Sequence, residues 1–192
     1  MSNEKAKATD VVASGFTANT GASEGAKATG KYTIECYDKD GNLKWTDESK
    51  NLVVNVGLQY MAGTALTSTT QITSWYLGVY GAASSNNPAA SDTMSSHAGW
   101  TEVTAYSEST RPAATFAAAT SANPSVVTNS ASKAQYTING TTTIGGAFLT
   151  SNNTKSGTTG KLFSAADFQS PGDRSVVNGD ILLVTYTFSL SA

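Results

Sequence analysis

The chain has 192 residues, of which 39% are hydrophobic and only 14% are charged, where an ordinary globular domain carries about 25% charged residues. A net charge of −2 without a basic stripe argues against nucleic-acid binding, since Lys5, Lys7, Lys27 and Lys31 are interleaved with Glu4, Asp10 and Glu24. With 28 Thr, 24 Ser and 17 Gly replacing the usual charged surface, an all-helical fold is excluded and β-structure with turns is favoured.

Residues 1–30 read as an extended, low-complexity N-terminal arm of Ala, Gly, Ser, Thr and Lys, with Val11, Val12 and Phe16 as its main apolar residues. Three such side chains return little of the entropy lost in ordering thirty residues, so the arm needs a partner to hold it. The N-terminus carries no apolar leader segment, and no stretch approaches the ~18 apolar residues of a membrane span. A soluble protein made without a signal peptide is expected, with no membrane contact.

Residues 31–192 read as one β-domain. Tyr32-Ile34-Cys36 alternates as a strand, Asp38-Lys39-Asp40-Gly41 has hairpin-turn chemistry, and Leu43–Trp45 returns. Leu52–Val54 continues, and Asn55–Ala62 has the pattern of one short helix. Ile72–Tyr80 reads as a strong strand with Trp75, Tyr76, Leu77 and Val79. A loop at Ser84–Asp92 precedes an irregular stretch with Met94, His97, Trp100 and Tyr106. Strands are then expected near Ala114–Ala117, Val126–Thr128, Ala134–Ile138, Thr143–Thr150 and Lys161–Phe168, punctuated by Asn139-Gly140, Pro171-Gly172 and Asn178-Gly179. The clearest strand comes last: Leu182, Val184, Tyr186, Phe188 and Leu190 alternate with Thr185, Thr187 and Ser189, which means one buried and one wet face. Eight or more short strands separated by turns give an all-β fold, a jelly-roll or β-sandwich body behind the arm.

Catalytic chemistry finds no footing. The single histidine, His97, has serines beside it, but adjacency in sequence does not make a triad, and no G-x-S-x-G, P-loop or G-x-G-x-x-G occurs. One His and one Cys cannot supply a zinc site, and Asp38–Gly41 lacks the distal Glu of a calcium loop. No catalytic residue, no metal and no cofactor is expected. Cys36, in phase with Tyr32 and Ile34, reads as a small buried hydrophobe. Gly145-Gly146 reads as a bulge or a close backbone approach. Trp75, Tyr76 and Tyr80 alternate imperfectly, so Trp75 or Tyr76 points away from the core. Such an aromatic suits a subunit interface, with glycan stacking as the alternative. The candidate contact residues are therefore Val11, Val12, Phe16, Trp75 and Tyr76.

Several ordered stretches carry a resemblance. They are Gly30–Trp45 around Tyr32-Thr33-Ile34-Glu35-Cys36-Tyr37-Asp38, then Asn51–Leu58, Ile72–Gly78, Asp92–Glu102, Tyr106–Pro112, Gly146–Ser151 and Asn178–Asp180. Together they run from Lys31 to Leu190, and the chain resembles tailed-bacteriophage virion structural proteins of the capsid cement or decoration type. The resemblance implies a non-enzymatic protein on the outside of the virion capsid, made in the host cytoplasm. Its implied partners are the phage major capsid protein and further copies of itself, as a dimer or trimer. The alternative is a receptor- or glycan-binding head on a phage fibre or tail. The arm lies outside the resembling stretches.

Overall fold

The computed structural model describes residues 25–81, 88–169 and 172–192. Among them the chain forms, in order, β1 (Lys27–Tyr37), β2 (Leu43–Lys50), β3 (Leu52–Val53), α1 (Asn55–Leu66), β4 (Tyr76–Gly81), β5 (Thr101–Glu102), β6 (Ser125–Thr128), β7 (Ala134–Thr137), β8 (Thr142–Ile144), β9 (Gly146–Thr150), β10 (Leu162–Asp167), β11 (Arg174–Val176) and β12 (Ile181–Ser191). Every strand pairing is antiparallel. The all-β expectation holds among the described residues, with one short helix.

Pairing is organised around β12, whose alternation is the strongest in the sequence. On one side all its residues pair with β1, from Ile181 opposite Tyr37 to Ser191 opposite Lys27. On the other, its first half pairs with β7 and its second with β6. The hairpin β1–β2 extends this sheet, giving the order β2-β1-β12-β6. Its turn is closed by Asp38, whose Oδ1 accepts the amides of Asp40 (2.9 Å) and Asn42 (2.8 Å), and Gly41 takes the left-handed conformation at φ 83°. A second sheet has the order β3-β10-β9-β4-β5, and β11 and β8 form a separate ribbon.

The inner faces of the two sheets share one core. Tyr32, Ile34 and Cys36 of β1 and Leu182, Val184 and Tyr186 of β12 meet Leu77 and Val79 of β4, Leu149 of β9 and Phe163 of β10. A buried tyrosine hydroxyl needs a partner, and three of them find one across the layers. Tyr136 donates to the Leu77 carbonyl (2.6 Å), and the Tyr32 hydroxyl meets Ser164 Oγ (2.8 Å). Asn51 Nδ2 donates to the Tyr186 hydroxyl (2.7 Å). Two glycines let the second sheet close up: a Cβ on Gly78 would collide with the Phe148 ring, and one on Gly146 with Tyr80 and the Ala166 carbonyl.

Several expected boundaries move. Residues 1–24 of the expected arm, and with them Val11, Val12 and Phe16, lie outside the described residues, as do residues 84–87 of the loop beginning at Ser84. Lys27–Gly30, assigned to the arm, is strand, because it pairs with Phe188–Ser191. The helix runs on to Leu66. The strand expected over Ile72–Tyr80 starts only at Tyr76, because the Ile72 amide is taken by the Tyr60 hydroxyl (2.7 Å) instead of a neighbouring strand. The strand expected at Ala114–Ala117 does not form. Ala114 donates to the Trp75 carbonyl and Ala117 to the Thr128 carbonyl, so the segment bridges two neighbours rather than following one. Thr143–Thr150 breaks into β8 and β9 at Gly145, whose amide turns to the Tyr80 carbonyl.

Burial raises the pKa of Tyr32, Tyr80, Tyr106, Tyr136 and Tyr186 above the ordinary phenol value. Burial, then the Asp180 carboxylate, pushes the Cys36 thiol up to about 12. Unfolded tyrosines ionise near about pH 10, so the unfolded chain binds fewer protons than the folded one above that point. The stability these groups supply is whole below about pH 9 and is lost as pH rises, by up to about 1.4 kcal/mol per pH unit for each group. The expected result is a cooperative alkaline unfolding in which tyrosinate absorbance and loss of β-sheet circular dichroism rise together. Gradual ionisation of these tyrosines with the sheet intact contradicts it.

Candidate functional site

The His97 ring lies flat on Trp100 (centroids 3.8 Å apart, 16° between planes), and its Nδ1 meets the Trp100 carbonyl at 2.9 Å. The Ser95 hydroxyl pairs with Thr93 (3.2 Å) rather than with His97. Asp92 organises this loop: its Oδ2 accepts from the Trp100 indole and from the Ala89 amide, both at 3.0 Å. No cluster of three or more His, Cys, Asp or Glu able to hold a metal ion occurs among the described residues. Cys36 is fully buried beside Asp180, as a core residue.

Arg111 is the most deeply buried of the charged residues described, at 1% exposure. Its Nε and one terminal nitrogen grip both oxygens of Glu102 (2.8 and 2.7 Å). The guanidinium also donates to the carbonyls of Asn152 (2.8 Å) and Gly157 (3.0 Å), and it lies over the Phe148 ring. Bidentate geometry with backbone acceptors on the remaining edge is what makes a buried guanidinium tolerable. Its donors are spent on the fold, clamping the loop after β9 against β5.

Open surface is found instead around α1. Gly57 presses the start of the helix against β10, where a Cβ would collide with the Phe163 carbonyl. At the other end Thr67 folds back, its amide (2.9 Å) and hydroxyl (2.7 Å) both donating to the Gly63 carbonyl. The chain then returns along the helix, held at Ile72 by the Tyr60 hydroxyl. Between helix, returning chain and sheet lies an open groove of about 570 Å³. Its floor is a row of aromatic rings in edge-to-face contact: Tyr60 with Trp75, Trp75 with Phe163, and Phe163 with Phe188, each pair 5.5 Å apart. Phe116, Val127, Ile72 and Met61 add to the apolar lining, Thr64, Thr69 and Gln71 bring polar groups, and no charged residue contributes. The four apolar residues, with Trp75 and Phe188, are only half-buried.

A second recess, of about 560 Å³, opens on the other flank of the helix between Gln59, Ala62, Leu66 and Lys161. Leu66 is 85% and Leu58 45% exposed, so the helix presents leucines outward as well as burying Tyr60. Exposed leucines on a helix that borders an open apolar groove are features of a contact surface.

Of the sequence-derived contact residues, the groove contains Trp75 alone. Tyr76 opens β4 opposite Thr150 and faces a separate, more polar hollow shared with Thr73, Ser74 and Ala113. Val11, Val12 and Phe16 are outside the described residues. Sequence reasoning missed Tyr60, Phe116, Phe163 and Phe188 as groove residues. The available signal was the helix itself, whose Leu58, Tyr60, Met61 and Leu66 cannot share one face.

No protein family, curated protein or solved structure matches this chain.

Removing one member of a buried ion pair strands the other and costs about 3–5 kcal/mol. Glu102→Gln should therefore destabilise the body by that order in denaturant titration, while Glu48→Gln, at an exposed pair with Lys31, should change it by less than about 1 kcal/mol. Equal effects of the two substitutions would contradict the clamp.

Proposed function

We propose that this protein is a capsid cement or decoration protein of a tailed phage. Its β-body, a sandwich of jelly-roll type, would bind the outside of the coat shell and stabilise it. The observation that carries the reading is the outward side of α1, where Leu58 and Leu66 are exposed next to the open groove and recess that flank the helix. Support also comes from the resemblance of its ordered stretches to virion structural proteins.

The physics suits such work. Apolar contact with little charge is only weakly screened by salt. Many copies on a symmetric lattice multiply a modest contact by avidity, and self-association on local symmetry axes is the common arrangement. The receptor- or glycan-binding reading draws less from the geometry. Stacking on a sugar needs an open aromatic face, and Trp75 is packed against both Tyr60 and Phe163.

Virions assembled without the protein should lose integrity under heat or chelator while adsorbing to hosts normally. Adding back the purified chain should restore stability. Burying one leucine is worth about 1.5–3 kcal/mol, so Leu66→Asp should weaken decoration by about tenfold to a hundredfold without destabilising the chain. Particles of unchanged stability, with or without the protein, would remove this reading.

A further inference from the structure

We infer that the aromatic groove is the docking site of the chain's own segment Val11–Phe16, which seats in the body from which it springs. This concerns the groove on the sheet side of α1, not the outward leucines, and it stands apart from the capsid reading.

The occupant is identified by chemistry first. The groove has no charged lining, and Trp75, Phe116 and Phe188 are left half-buried. An apolar lining that remains partly wet gains from a cover that brings apolar side chains and no charge. Between Ser2 and Gly30, Val11, Val12 and Phe16 are the only large apolar residues, and residues 11–23 carry no charge at all. Phe16 matches the row Tyr60–Trp75–Phe163–Phe188, because an added ring finds edge-to-face partners there.

Position then selects the source. The arm joins the body at Lys27, which pairs with Ser191, and the groove residues Phe188 and Tyr186 pair with Gly30 and Tyr32. At about 3.3 Å per residue, the groove wall lies roughly 10–17 Å along the sheet from the point where the arm enters. The stretch from Phe16 to Lys27 is Thr-Ala-Asn-Thr-Gly-Ala-Ser-Glu-Gly-Ala. A linker of this small-residue composition and length has a root-mean-square span of about 17–20 Å. A tether whose span matches the distance gives a millimolar effective concentration, far above that of a second copy in dilute solution. The chain's own arm therefore outcompetes a neighbour's for this groove.

The test uses the full chain with two cysteines, Ser14→Cys in the segment and Gln71→Cys at the exposed rim of the groove. Native Cys36 is fully buried and does not compete. Under mild oxidation at about 10 μM protein, the monomer-size disulfide should form about a hundredfold faster than any dimer-size product. Adding Phe16→Asp should slow it by at least about tenfold, the loss expected when an apolar anchor is removed. A predominant dimer-size disulfide would overturn the inference in favour of a second copy's arm. An unchanged rate with Phe16→Asp would overturn it by showing that the tether alone brings the two sites together. As a check without cysteines, Phe16→Asp in the otherwise native chain should bind more of an environment-sensitive apolar dye than the parent. Equal dye binding also counts against docking.

Discussion

The body depends on β12 being paired along both edges while its alternate side chains enter the core. Leu182, Val184 and Tyr186 face inward, and that face is stable only under a second layer. Both halves of the opposite edge are then filled by β6 and β7, and the first edge by the whole of β1. Chain entry at Lys27 and exit at Ser191 are thereby fixed side by side. The location of the groove, at the end of β12 where the arm enters, follows from that register.

Polar groups determine how closely the second layer sits. Tyrosines carried into the core bring hydroxyls that need partners, and for Tyr32, Tyr136 and Tyr186 those partners lie on the facing sheet or on the Asn51 link beside it. Asn129 serves the same end at the centre of β12. Its Oδ1 accepts the Tyr186 amide (2.7 Å) and its Nδ2 donates to the Val184 carbonyl (3.1 Å), bridging the gap between β6 and β7. Arg111 performs the equivalent task for the outer loop. With so few charges available, the buried ones act as fasteners. The surface is left sparsely charged and hydroxyl-rich, so contacts made through it are only weakly screened by salt.

Much of the fold was legible from residue pattern. The alternation of β1 and β12, the Asp38–Gly41 turn, the position of α1 and the buried role of Cys36 all follow from local chemistry and period. Elements defined by a distant partner did not. Ile72–Trp75 has strand composition, yet the Tyr60 hydroxyl, twelve residues earlier, takes its amide and leaves it as a groove wall. Ala114–Ala117 is similar, its hydrogen bonds divided between Trp75 and Thr128. β5 and β11, of two and three residues, are too short to show a period. Of the groove, only Trp75 stands out as a contact residue in the sequence. Phe163 and Phe188 read as ordinary strand core, because a period-2 pattern reports which face a residue occupies and not whether that face is fully covered.

Leucines exposed on the outer side of the helix and a sparsely charged surface are what support the proposed role of a unit laid down many times on a coat shell. The most direct measurement of that claim is the copy number of this chain in purified virions, obtained by quantitative gel analysis against the coat protein. A protein repeated with the shell lattice should be present at on the order of hundreds of copies per particle. About a dozen copies or fewer would place it on a tail or fibre and contradict the account.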